Sequence, residues 1–192
     1  MSGRGRWGGL RQRLRGLLPL LWLLLTTLVG GTMAAAALPS QPVLPASLAL
    51  RAAGEAVEQC ASRGYGVTAT VVNAEGGVQV VLRGDGATPH TVANSFNKAH
   101  AVVTLGPIFQ LDSTTALYQA LKRSPYPIAP LPLPATPLAG LAVTPGAVTI
   151  PSAAGLVGGL GVSGASSGSL DEACAREGVR RIAAELGLPA DS

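Results

Sequence analysis

The two histidines of the chain, His90 and His100, are the side chains best suited to bind a metal centre. His90 follows small residues, Gly84, Gly86 and Ala87, and such a setting lets an exposed imidazole reach an iron atom. A histidine just before a helix is also a common polar surface residue. Both interpretations of His90 stay open at this point.

His100 stands ten positions after His90 in a segment with helical periodicity. Ten residues of helix advance the chain by about 15 Å. The two histidines of one chain therefore cannot bind the same iron from opposite ends of that helix, although contact across a subunit boundary stays possible. The alternative for His100 is a partly buried helix position.

Cys60 and Cys174 are the only cysteines. They fall on the first and last predicted helices, and they are candidates for a disulfide if the protein reaches an oxidising compartment. Two buried free thiols are the alternative. Zinc sites use close pairs of ligands, and histidines and cysteines spread this widely do not form such pairs.

A glycine-rich segment, Gly159-Leu160-Gly161-Val162-Ser163-Gly164, matches the dinucleotide-binding fingerprint letter for letter. That fingerprint binds a pyrophosphate only when its glycines form the turn between a strand and a helix. Here the apolar residues place the glycines inside a strand, and a further loop, 165–168, separates them from the next helix. The pattern therefore favours glycines that let a backbone, a helix or a flat ligand approach closely.

The N-terminus predicts a secretory signal peptide over residues 1–37. Five arginines without an acidic residue precede an apolar run from Leu17 to Val29, and small residues follow. An uncleaved membrane anchor is the alternative. Removal of the five arginines changes the net charge from +4 to −1, so the basic composition does not indicate nucleic-acid binding. Residues 38–45, rich in proline, are interpreted as a linker.

The remaining pattern predicts helices and strands without regular alternation. Helical spacing covers 48–63, 91–105, 114–122 and a C-terminal segment capped by Ser169 and Glu172 that runs to Leu186. Strands are predicted at 67–73, 78–82, 138–143, 147–150 and 156–162, the first two as a hairpin. Six prolines place a loop at 124–137. This order predicts an α/β fold of the α+β type, an antiparallel sheet covered by helices.

Two segments resemble the GlcG/HbpS family. Asp85-Gly86-Ala87, Pro89-His90-Thr91 and Lys98-Ala99 are similar to the family's entry into its second helix, and Val157–Ala165 with Asp171 and Cys174 is similar to its C-terminal part. The resemblance covers residues 46–188. It implies a single domain with a central, mostly antiparallel sheet flanked by helices, a homo-oligomer, and a tetrapyrrole ligand, since some members bind heme.

The residue chemistry suggests contacts for such a ligand. His90 is the expected contact to heme iron, and Lys98 and Arg83, the cations nearest this segment, are candidate partners of the heme propionates. A structurally paired or solvated charge is the alternative for each cation. The chain departs from the family in a loop of six prolines at 124–137, in His100 where a tyrosine is common, and at Gly146–Ile150, which lacks a second glycine and a proline.

The sequence therefore predicts an exported, non-catalytic heme-binding domain, secreted or periplasmic. The alternative is a cofactor-free accessory oligomer that acts through a protein partner. An enzyme acting on small hydroxy acids or tetrapyrroles is a third, weaker hypothesis, because Ser163 does not stand in a Gly-x-Ser-x-Gly elbow and no histidine and aspartate can be assigned to activate it.

Overall fold

The computed structural model describes residues 40–123 and 141–189. The predicted signal peptide, the first two residues of the predicted linker and the proline-rich loop at 124–137 lie outside the described residues. The rest of the linker, 40–45, is irregular and leads into the first helix, with Leu44 buried in the core. None of the helices in the described ranges is long and apolar enough to span a membrane.

Helices and strands follow one another in an irregular order, as the sequence predicts. Along the described chain they are α1 (Ala46–Ala61), β1 (Thr68–Asn73), β2 (Val78–Arg83), α2 (His90–Phe109), α3 (Thr114–Arg123), β3 (Ala147–Ser152), β4 (Gly155–Ser163), α4 (Gly168–Arg180) and a short 3₁₀ helix (Ala184–Leu186). Gly64 ends the first helical segment with a φ of 84°, a conformation that favours glycine.

The four strands form one antiparallel sheet in the order β2-β1-β4-β3. Helices α1 and α4 cover one face, where most of the buried apolar side chains lie. Helix α2 crosses the other face over a smaller apolar cluster. This arrangement of helices around an antiparallel sheet confirms the predicted α+β fold.

Small residues let α1 and α4 pack closely together on their face of the sheet. Four of the five buried residues of α1 are alanines at helical spacing, the fifth being Cys60, and Gly178 of α4 lies directly against the Ala52 carbonyl. The Cys60–Cys174 disulfide joins the same two helices with its Cα atoms 5.7 Å apart. The first and last helices of the domain are thus held side by side by both packing and a covalent bond.

Glycines of β4 allow an equally close approach of α2 on the opposite face. A Cβ on Gly161 would lie 2.7 Å from the Ala99 nitrogen, and one on Gly159 would lie 2.6 Å from Val103 Cγ1. Gly159 and Gly161 stand inside β4, as the sequence predicts, and Gly164 follows the last residue of the strand. The sequence left open whether a backbone, a helix or a flat ligand approaches these glycines. In the structure, helix α2 approaches them.

Three predicted features are wrong. Residues 141–143 form no strand, because the Ala142 N–H donates to the Asn97 carbonyl of α2 instead of to a neighbouring strand. Helix α4 is capped by Ser167, whose Oγ accepts from the Leu170 N–H, and not by Ser169. That helix ends at Arg180, and a turn and the 3₁₀ helix carry the chain on to Leu186.

Replacing Gly161 with alanine should destabilise the fold by about 1–3 kcal/mol, because the new methyl group overpacks the contact between β4 and α2. The matched control is Gly54→Ala in α1, where a Cβ meets nothing within 4 Å and helix propensity should add up to about 1 kcal/mol. Denaturant unfolding of the two variants measures both changes. Equal stability of Gly161→Ala and the native chain would contradict the close approach.

Candidate functional site

The loop between β2 and α2 is held in shape by Arg83. Its guanidinium donates two hydrogen bonds to the Ala87 carbonyl, one of them at 2.9 Å from Nε. The loop turns at Gly86, which has a φ of 74°. A solvent-open hollow of about 500 Å³ lies against residues 83–89. Arg83 remains exposed and stands at the edge of this hollow.

His90 begins α2 at the end of this loop and is exposed. Its Nδ1 lies 3.1 Å from the Thr88 hydroxyl. The Thr88 carbonyl in turn accepts from the Thr91 hydroxyl at 2.6 Å, so Thr88 is fixed from the helix side. With Nδ1 engaged, Nε2 is the nitrogen of His90 that is left to bind a metal, the arrangement typical of ligating histidines.

The α2 side of strand β2 supplies an apolar and cationic surface beside this loop. Val81 and Arg83 pair across the sheet with Thr70 and Thr68, and partners across antiparallel strands share a face. Both threonines hydrogen-bond hydroxyls of α2. Val81 therefore projects on the α2 side, where it is 45% exposed. A flat apolar ligand with acidic groups would meet both an apolar contact and a cation here.

His100 lies elsewhere, against the turn of the hairpin. Its ring centroid is 5.6 Å from that of Phe96, and a Cβ on Gly76 would come within 2.6 Å of its ring. Its Nδ1 is buried and has no hydrogen-bond partner within residues 40–123 and 141–189. The structure therefore does not bring His90 and His100 together, and His100 takes the partly buried helix position that the sequence left as its alternative.

Lys98 forms a buried ion pair with Asp171. The ammonium donates to Asp171 Oδ2 at 2.8 Å and to the Val162 carbonyl at 3.0 Å, and the two side chains are only 7% and 5% exposed. The other carboxylate oxygen, Oδ1, accepts from the Ala165 N–H at 2.8 Å. The pair thus connects α2, the end of β4 and the start of α4.

Of the two roles left open for Lys98, the structure therefore contains the structurally paired charge. Gly146 seals the pair, because a Cβ there would lie 2.5 Å from Lys98 Nζ. A propionate in solvent could not reach the ammonium without breaking this arrangement. Sequence reasoning missed the pairing, although Lys98 and Asp171 both belong to the two segments that carry the family resemblance.

Burial raises the pKa of Asp171 above its ordinary value of 3.8, and the hydrogen bond from Lys98 opposes that rise. The folded protein therefore holds this proton more tightly than the unfolded chain does. Taken alone, ionisation of Asp171 makes the fold less stable as the pH rises through and above 3.8. The hydrogen bond and the positive charge of Lys98 limit this loss of stability.

The arrangement can be compared with known proteins. A family model described as "Haem degrading protein HbpS-like" matches residues 44–180. The chain belongs to the HbpS-like family. The resemblance to the GlcG/HbpS family is thereby confirmed. No curated protein matches the chain.

Solved structures support the same assignment. The crystal structure of HbpS is 31% identical to this HbpS-like chain, covers 78% of it and 99% of its own length, and has a TM-score of 0.64. A double mutant of HbpS from Streptomyces reticuli is 30% identical over 80% of this chain and 98% of its own, also with a TM-score of 0.64. A PduOC–heme complex shares the fold at 20% identity and a TM-score of 0.61, over 72% and 94% of the two chains.

Replacing Lys98 with methionine should destabilise this HbpS-like domain by about 3–5 kcal/mol, because Asp171 would keep a buried charge without its partner. The deficit should shrink as the pH falls, since protonation of Asp171 removes that charge. The double variant Lys98→Met/Asp171→Leu should recover most of the loss. Urea unfolding between neutral and acidic pH measures these differences. A deficit independent of pH would contradict the role assigned to the ion pair.

Proposed function

We propose that this protein is an exported heme-binding protein in which His90 supplies the imidazole that binds the iron. Membership of the HbpS-like family supports a tetrapyrrole ligand. A relative of the same fold is named as a heme complex. The single observation that carries the proposal is the geometry of His90: the ring is exposed at the start of α2, and Thr88 engages its Nδ1.

The surroundings of His90 fit the chemical nature of heme. Val81 exposes 45% of its surface on the α2 side of strand β2 and offers apolar contact to a porphyrin. Arg83 is exposed beside the same loop and can pair with a propionate. When bound, heme would supply a redox-active iron centre. This chain's part is to orient His90 through Thr88 and to neutralise one propionate through Arg83.

We extend the proposal to a homo-oligomer. The two edges of the sheet differ. At the β3 edge, the Thr149 N–H donates to the Asp112 carbonyl, and Ser113 forms a β-bridge with Val148. At the β2 edge, no strand among the described residues pairs with the outer side of β2. An exposed, apolar edge strand favours association with another chain. The oligomer size is measured by light scattering of the same samples used for heme binding.

Hemin titration of the mature protein should give a saturable Soret band with one heme per chain. His90→Ala should shift this band and weaken binding by at least about tenfold, since a metal ligand is lost. Thr88→Val should give a smaller loss, because it removes only the group that orients the ring. His100→Phe is the matched control, and its band should equal that of the native chain.

Each outcome of the titration separates the hypotheses. A normal band in His90→Ala would keep heme and reject this ligand. Absence of saturation in the native chain would refute heme binding and favour the cofactor-free oligomer that acts through a partner. A band that saturates and then decays when a reductant and oxygen are added would indicate turnover of heme, the activity that the family's description names.

Export should remove residues up to about 37 and allow Cys60 and Cys174 to form their disulfide. In a secreting bacterial host, we expect the extracytoplasmic protein to begin near Leu38 and to contain no thiol that reacts after denaturation. Intact-mass spectrometry with a thiol-alkylating reagent measures both properties. A chain that keeps Met1 and two reactive thiols would contradict export.

A further inference from the structure

A groove of about 410 Å³ lies between α4 and the outer side of β3, well away from the loop that presents His90. This volume falls in the range of small-molecule sites. Apolar side chains of both β3 and α4 form its floor. The α4 residues that line the groove recur at helical spacing along one side of the helix. The side chains that form the floor are Val148, Pro151, Ala173 and Val179.

Charged side chains form the rim of the groove. Arg180 is committed to Glu177 through two hydrogen bonds, at 2.8 and 2.6 Å. Arg176 is held differently: Glu172 accepts from it at 3.1 Å, and Asp112 accepts at a longer 3.3 Å. The first of these partners is fixed, because Glu172 is only 9% exposed and also accepts from the Thr115 N–H at 3.0 Å.

The second partner of Arg176 can be displaced. The side chain of Asp112 is 67% exposed, and that of Arg176 is 50% exposed. An exposed pair of this kind contributes only about 0.2–1 kcal/mol, so another carboxylate can replace it at small cost. Arg176 therefore presents its Nη1 to the groove. The partner of Nη1 is Asp112, an exposed carboxylate that another carboxylate can replace.

We propose that the groove binds a small amphipathic monocarboxylate. The carboxylate takes the place of Asp112 on Arg176, and the apolar tail lies over Val148, Pro151, Ala173 and Val179. A guanidinium recognises a carboxylate through parallel, charge-assisted hydrogen bonds, and this gives orientation as well as affinity. The floor selects an apolar tail over a second charged group. Arg180 is assigned no part in binding, because its Nε and Nη2 already form a short two-point pair with the Glu177 carboxylate.

Asp112 then acts as a competitor of the ligand. This assignment makes an unusual prediction, since the two partners of one ion pair should have opposite effects when they are removed. Loss of Arg176 should weaken binding, and loss of Asp112 should strengthen it. A purely structural role of the pair would make the two substitutions behave alike.

The test uses sodium hexanoate as the probe, with acetate and succinate as comparison ligands, titrated into the mature protein and followed by isothermal calorimetry and NMR shifts. We expect saturable binding of hexanoate, with acetate and succinate much weaker. Arg176→Gln should weaken binding about tenfold or more, since charge-assisted hydrogen bonds are lost. Asp112→Asn should tighten it by up to about fivefold. Arg180→Gln is the matched control and should leave the affinity unchanged.

Three results would overturn the proposal: no saturable binding of hexanoate, equal affinity in Arg176→Gln, or weaker binding in Asp112→Asn. Asp112 is highly exposed, so its variant keeps the test valid even if Arg176→Gln fails to fold. Hemin titration of Arg176→Gln keeps this site distinct from the heme site. A native Soret band in that variant, together with lost hexanoate binding, is the expected result. A lost Soret band would place the two ligands in one site and refute a separate groove.

Discussion

The Lys98–Asp171 ion pair is the interaction on which the placement of the other elements depends. Its atoms belong to α2 and α4, which lie on opposite faces of the sheet, and its further hydrogen bonds reach the end of β4 and the loop behind it. A charge pair removed from water is stable only when its geometry is tightly defined. The pair therefore sets where α2 can begin, and so it sets where His90 is presented.

The packing of α2 complements this electrostatic constraint. Glycines of β4 allow the helix backbone to approach the sheet closely, and hydroxyl pairs satisfy the polar groups that the approach buries. Apolar contacts alone would let a helix slide or rotate over a flat sheet. Buried hydrogen bonds and an ion pair have narrow distance requirements, so they give α2 one position and give the loop before it one shape.

Structural features that depend on local interactions could be predicted from local patterns in the sequence. Gly64 closes the turn after α1, where the chain has a positive φ, and the apolar run with its glycines makes β4 recognisable. The cap of α4 was misassigned for a tertiary reason. Glu172, which suggested a capping box with Ser169, instead accepts from the Thr115 N–H of α3. Such a contact depends on where a distant helix lies, and no spacing along the chain reveals it.

The same distinction applies to the candidate site. The exposed position of His90 at the start of α2 could be predicted, because the loop before it consists of consecutive small and polar residues. Lys98 lies further along the same helix as His90. Its ammonium is nevertheless buried against Gly146 and Asp171, which are both distant from it in the sequence. A cation near a proposed ligand site is therefore weak evidence for a ligand contact, because the fold can use that charge internally. Exposure separates the two cases: Arg83 remains at the surface and stays available, whereas Lys98 has become part of the structure that positions His90.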